Sequence, residues 1–138
     1  GNIAYLSSSQ QLLPGAVGAA LAGTLFNPPH WRGRGSISWS SGAITLNATT
    51  SYIGGVEDTR FNPRVKISGM VTQDMTARYA FGPKSGILRG TTLSLSVQNL
   101  FDSHPATIAT TAYYDTAYDS TNYSPVGRYI GMGVTRAW

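Results

Sequence analysis

Apolar residues take alternate positions in run after run of this chain, and the positions between them are small or polar. The last eleven residues, RYIGMGVTRAW, show the pattern in full. Arg136, Val134, Met132 and Ile130 fall on one side, and Ala137, Thr135, Gly133, Gly131 and Tyr129 on the other. A period of two is the signature of a β-strand, whose side chains alternate between faces. The small, polar side offers little to bury, so the apolar side decides where the strand resides. A soluble sheet turns that side onto a core, whereas a barrel in lipid turns it outward.

Composition favours the second arrangement. Charged residues make up 12% of the 138, about half of the roughly 25% usual in soluble domains, so something other than charge must cover the surface. The length suits one domain, and a chain rich in Gly, Ser and Thr without long Leu-rich faces is no helix bundle. Zero cysteines exclude a disulfide framework and a thiolate metal site. The most apolar stretch, LLPGAVGAALAGTLF at 12–26, contains Pro14 and three glycines and follows no Lys or Arg. Its fifteen residues fall short of the roughly 20 that span a bilayer as a helix, so it reads as a small-residue loop rather than a targeting segment. The net charge of +4 comes from ten Lys plus Arg against six Asp plus Glu. Those cations are not clustered. Arg32 and Arg34 come closest and alternate with glycine in a strand-like stretch, which argues against nucleic acid and for lumen-facing or interfacial arginine.

Six strands are predicted from the alternation and its Gly, Pro, Asn and Asp punctuation, at 2–8, 30–40, 43–56, 65–81, 91–101 and 128–138. The second sets Trp31, Ile37 and Trp39 against Arg32, Arg34, Ser36, Ser38 and Ser40, and the third Ile44, Leu46, Ala48, Thr50 and Tyr52 against Thr45, Asn47, Thr49 and Ser51. The fourth sets Met75, Ala77, Tyr79 and Phe81 against Asp74, Thr76, Arg78 and Ala80, and the fifth Leu93, Leu95 and Val97 against Ser94, Ser96 and Gln98. Between them a long loop at 9–29, a tight turn at Ser40-Ser41-Gly42, a polar loop at 57–64, a moderate turn at 82–90 and a longest loop at 102–126 are expected. Transmembrane barrels alternate short periplasmic turns with longer extracellular loops in this way.

Aromatic residues test the membrane reading independently, because Trp and Tyr gather at the two interfaces. Trp31 and Trp39 share a face eight residues apart. At about 3.3 Å per residue that is roughly 26 Å, and a tilt near 40° reduces it to about 20 Å, against an apolar band of about 25 Å. With a periplasmic C-terminus, Trp39, Phe81 and Trp138 fall on the periplasmic rim, and Trp31 and Tyr52 on the outer one; Tyr79 joins the interfacial set. Six strands cannot close a barrel, since single-chain bacterial barrels begin at about eight. The expectation is therefore a piece of a larger barrel or a share of an oligomeric one.

The stretch LSLSVQNLFDSHP at 93–105 closely resembles the penultimate-strand signature of TonB-dependent outer-membrane receptors, an alternating strand running into Asn99, Leu100, Phe101 and Asp102 and then a proline. Tyr114-Asp115, SPVGR at 124–128 and the terminal aromatic strand follow in that family's order, as do NPPHWRGR at 27–34, Trp39-Ser40, Tyr52-Ile53-Gly54 and Asp58. Arg136 stands where an apolar residue is usual, although a long cation near an interface can snorkel. The resemblance implies an all-β, antiparallel, up-and-down transmembrane β-barrel segment, with residues 1–138 supplying the last six of about 22 strands and the plug domain lacking. It implies a receptor and transporter in the Gram-negative outer membrane for TonB-dependent uptake of a scarce nutrient of the siderophore, cobalamin or glycan class. The chain would contribute barrel wall, extracellular loops and a terminal assembly strand marked by Tyr129, Gly133 and Trp138. Its partners would be the lipid bilayer, lipopolysaccharide and the barrel-assembly machinery, with TonB reached only through the lacking N-terminal part. No cofactor, nucleic acid or enzymatic activity is implied. The alternative is a soluble β-sandwich acting as a binding or adhesion module.

Candidate sites are few. Tyr113, Tyr114, Tyr118 and Tyr123 in the 102–126 loop offer rings that would stack on an iron chelate, a corrin or a sugar, against loop packing as the plainer role. Asp115, Asp119 and Asn122 are three oxygen-bearing side chains where calcium takes six to eight oxygens, so a solvated loop is expected there instead. Asn99 and Asp102 are expected to fix backbone geometry through local hydrogen bonds. Asp74 and Arg78 share a strand face and are expected to pair. His30 and His104 lie beside prolines with no nucleophile motif nearby, which leaves a catalytic triad unsupported. A membrane phospholipase or protease barrel would need that triad on neighbouring lumen-facing positions. The Asn47-Ala48-Thr49 and Asn122-Tyr123-Ser124 sequons are taken as chance.

Overall fold

The computed structural model describes residues 1–7, 20–110, 112, 113 and 115–137. Its strands are β1 (Asn2–Tyr5), β2 (Trp31–Ser41), β3 (Ile44–Ile53), β4 (Val56–Asp58), β5 (Val65–Ile67), β6 (Met70–Ala80), β7 (Thr91–Gln98) and β8 (Tyr129–Arg136), with one 3-10 turn at Gly86–Leu88. Six of them form a single antiparallel sheet in the order β1-β2-β3-β6-β7-β8, while β4 and β5 pair only with each other. The six-stranded sheet that alternation predicts is present. It is open, with β1 and β8 at its two edges.

The predicted first, third, fourth and fifth strands are too long, the first ending at Tyr5 and the fifth at Gln98, after which Asn99 turns the chain. The third stops at Ile53 and the fourth is broken before Met70, and the polar loop expected at 57–64 is in part a separate hairpin, with Val56 opposite Ile67 and Asp58 opposite Val65. Glycine explains the break. A Cβ on Gly69 would stand 2.5 Å from the Ile53 carbonyl oxygen, and one on Gly55 would collide with the Ile67 carbonyl, so the two chain segments cross only where side chains are absent. The turn after β2 falls one residue later than expected, on Gly42 and Ala43, with Gly42 at φ 56°.

Contacts divide the chain into two compact units, Gly1–Arg34 with Ser51–Val71 and His104–Val126, and Gly35–Thr50 with Thr72–Ser103 and Gly127–Trp138. The first holds the β4–β5 hairpin and a small apolar core of Leu25, Val56, Ile67 and Ile108, with Ala106 packed against it. Leu25 reaches this core because its chain runs beside β4, the Leu25 amide donating to the Glu57 carbonyl at 2.9 Å and the Glu57 amide to Gly23 at 2.7 Å. Full burial of such a side chain contributes about 1.5–3 kcal/mol, so four of them stabilise a lobe of this size only with help from polar contacts.

Among its described residues the second unit has no comparable core. Its strands pair in rows: Met75, Val97 and Ile130, then Ala77, Leu95 and Met132, then Tyr79, Leu93 and Val134 on one face, with Thr76, Ser96 and Gly131, then Arg78, Ser94 and Gly133 on the other. Gly131 and Gly133 have a reason to be small. Ser96 and Ser94 lean over them and donate to their carbonyls at 3.4 and 3.2 Å.

Candidate functional site: an exposed apolar face and a tied polar loop

In β3, β7 and β8 accessibility runs opposite to that of a soluble protein, while β2 is exposed on both faces except at Gly33. Along β3, Ile44, Leu46 and Tyr52 are exposed while Thr45, Asn47, Thr49 and Ser51 are half-buried. Along β7 and β8, Leu93, Leu95, Ile130, Met132 and Val134 are exposed while Ser94, Ser96, Gly131 and Gly133 are half-buried, and Met132 reaches 76%. The hydrophobic effect opposes leaving such a field in water.

The aromatic residues expected at the interfaces mostly stand on the surface. Trp31, Trp39, Tyr52 and Tyr79 are exposed. Phe81 is half-buried, edge-on to Tyr79 at 4.8 Å between centroids. Tyr5 of β1 packs on Trp31 of β2 at 4.5 Å and stacks on His30 at 5.9 Å. His30 is further held at Nδ1, 2.7 Å from the Leu6 carbonyl oxygen.

The turn after β7 is built by its own side chains. Asn99 and Asp102 both take positive φ, 49° and 55°, which Asn and Asp tolerate better than most residues. Asn99 donates through Nδ2 to the Ser103 carbonyl at 2.8 Å and accepts the Ser103 amide at 2.9 Å, while its own amide donates to Asp74 at 2.9 Å. Asp102 accepts the Arg128 amide at 2.7 Å, tying the turn to the start of β8. The expected Asp74–Arg78 pair does not form, because four positions along one strand separate them by about 13 Å; Asp74 instead accepts the Asn99 amide. Leu100 donates its amide to Gln73 at 2.7 Å, and Phe101 is exposed.

Three polar nodes tie the 104–126 loop into the first unit. Asp58, 1% exposed, receives Arg60 Nε at 2.9 Å and Nη2 at 2.8 Å, and Arg60 Nη2 also donates to the Ala109 carbonyl at 2.8 Å. The Arg60 hydrogen bonds hold the Asp58 carboxyl below its ordinary range against the opposing effect of burial, and Asp58 in turn raises Arg60. Asp119, 0% exposed, accepts the amides of Phe26, Thr121 and Asn122 and the Asn122 Nδ2, at 2.8–3.2 Å. Asn122 extends the node, receiving Arg32 Nη2 at 2.7 Å and donating to the Asn27 carbonyl at 2.7 Å. Tyr123 is the third, 4% exposed, with its hydroxyl donating to Gly54 at 2.7 Å. Burial and then the Asp119 charge push its phenol upward.

The loop tyrosines therefore differ in role. Tyr123 is interior, Tyr118 half-buried and Tyr113 100% exposed, while Tyr114 lies outside the described residues. The suggested oxygen set is spent on protein: both Asp119 oxygens face N–H donors, Asn122 holds Arg32, and Asp115 accepts the Ala112 amide at 3.0 Å. Among the described residues no group of three His, Cys, Asp or Glu is placed to hold a metal ion. In the terminal strand Tyr129 and Gly133 lie on the half-polar face, and Trp138 lies outside the described residues. Arg60 has no special standing in the sequence; Asp58 beside it, before a Gly-poor turn, is the only local signal. A cavity of about 510 Å³ adjoins the hairpin, with Thr24, His30, Glu57, Arg64 and Lys66 in its wall. Its charge is balanced in part within the wall, since Arg64 pairs with Glu57 at 3.3 Å.

Comparisons with family models, with curated proteins and with solved structures give no match for this chain.

Proposed function

We propose that this chain forms six strands of an outer-membrane β-barrel of the TonB-dependent receptor type, lying in the Gram-negative outer membrane. The exposure of Met75, Tyr79, Leu93, Leu95, Ile130, Met132 and Val134 opposite half-buried Ser94, Ser96, Gly131 and Gly133 carries the reading. Lipid makes that arrangement favourable, and a polar lumen accounts for the other face. The two open edges support it as well, since unpaired strand edges in hydrocarbon would leave N–H and C=O groups unsatisfied, and pairing with further strands of a 22-stranded wall removes that cost. A soluble sandwich would need a second layer over Leu95 and Met132, and no described residue buries them.

In this role the chain contributes barrel wall, a structured extracellular loop and the strand β8 that the assembly machinery engages. The bilayer and lipopolysaccharide meet the apolar face, and TonB acts through a plug domain elsewhere in the receptor. The solute is a scarce nutrient of the siderophore, cobalamin or glycan class, and Tyr113 offers it a ring to stack on. Quenching of Trp39 tests the lipid contact. In a Trp31→Phe, Trp138→Phe background, the full chain is folded into phosphatidylcholine vesicles brominated on the upper acyl chain. Strong quenching of Trp39 is expected; unquenched emission from a chain with intact β-sheet circular dichroism would sink the reading.

A further inference from the structure

We infer that the described residues of the 104–126 loop form a locked arm, not a moving lid, and that Arg60 is the positioning residue that fixes the turn at its tip. Loops of this length are ordinarily mobile and order themselves when something binds. This one is tied at both halves. In its first half Ile108 enters the apolar core, and its amide donates to the Ala117 carbonyl at 2.9 Å, closing the arm on itself. The tip is a turn closed in both directions: the Asp115 amide donates to the Ala112 carbonyl at 3.0 Å, and the Ala112 amide to Asp115 Oδ2 at 3.0 Å. Tyr113 stands in that turn.

Arg60 aims the turn. Its guanidinium is planar, so two hydrogen bonds to the buried Asp58 carboxylate fix the direction of the remaining N–H groups. Those groups reach the Ala109 carbonyl at 2.8 Å and, through Nη1, Asp115 Oδ2 at 3.9 Å. In the second half, Asp119, Asn122 and Tyr123 form the separate anchor already described. A contact surface formed before its partner arrives escapes the ordering cost of binding, so a solute that meets this turn meets a backbone already in place. The inference concerns the arm alone and holds whether or not the sheet lies in lipid.

Amide hydrogen exchange on the folded full chain, read by mass spectrometry against a synthetic 104–126 peptide, tests it. Exchange over 108–123 slower than in the peptide by more than about tenfold is expected, as for locally stable structure. Arg60→Ala should bring 108–115 close to the peptide rate while 119–123 stay protected, with Arg60→Lys in between. Asp119→Asn should give the mirror pattern. Wild-type exchange at the peptide rate over 108–115 overturns the locked arm. Protection there that survives Arg60→Ala, or a loss in that variant that spreads equally to 119–123, overturns the role of Arg60.

Discussion

The hydroxyl of Tyr123 donates to the carbonyl of Gly54 at 2.7 Å across 69 positions of chain. Gly54 directly follows the last residue of β3, and its amide donates to Trp31 at 2.8 Å, so one backbone unit joins the end of a long strand to the root of the last loop.

Tyr123→Phe removes that donor and leaves a buried carbonyl unsatisfied, which costs about 1–2 kcal/mol. Urea unfolding should show the loss. The raised phenol adds a pH signature. Because the folded pKa lies above the unfolded value of about 10, the contribution is full below that value and fades as pH rises through the folded one. Tyr123→Phe should flatten the alkaline fall in stability, and an unchanged alkaline limb would remove Tyr123 as its source.

Asp58 acts at the other end of the scale. Its pKa is lowered, so its contribution is present above the ordinary carboxylate value of 3.8 and is lost as pH falls through the lowered one. Asp58→Asn should cost about 2 kcal/mol at neutral pH, the worth of charge-assisted hydrogen bonds, and should weaken the acid limb of a stability profile taken between about pH 5 and pH 2.

Asp119→Asn keeps the shape but points an NH2 group at amide donors, at a cost of about 2 kcal/mol. Since the Asp119 charge helps raise Tyr123, the substitution should also move the Tyr123 titration downward, followed by tyrosinate absorbance with Tyr123→Phe as the blank. A Tyr123 midpoint that stays put would deny the coupling.

Met132→Lys separates lipid from water. Met132 is 76% exposed and pairs with exposed Leu95, in a row completed by half-buried Ala77. A lysine near the midplane of a bilayer costs about 2–4 kcal/mol, whereas on a soluble surface it would change stability by within about 0.5 kcal/mol. Thr135→Lys on the opposite face is the control. Equal, small effects in lipid vesicles would count against membrane burial.

Much of the sheet is legible in the sequence because a two-residue period needs no tertiary information. The alternation at Leu93, Leu95 and Val97 and at Ile130, Met132 and Val134 places both strands, and the registers then align row with row. The β4–β5 hairpin is not legible. Its strands have three residues each, too short for a period to register, and the apolar Val56 and Val65 join smoothly onto the neighbouring long strands. Gly54, Gly55 and Gly69 are the residual signal, and their meaning depends on a backbone crossing that only the folded chain contains.

The sequence by itself determined an all-β chain, which side of each long strand is apolar, that a tight turn containing Gly42 follows β2, and that Asn99 and Asp102 fix the backbone near the end of β7. Each of these depends on residues within a few positions of one another. Only the tertiary structure decided which polar residues are interior. Tyr113 and Tyr123 are alike in sequence, yet one is fully exposed and the other buried. Asp119 is buried because donors as distant as Phe26, 93 positions away, converge on it, and a carboxylate can leave water only where such partners meet it.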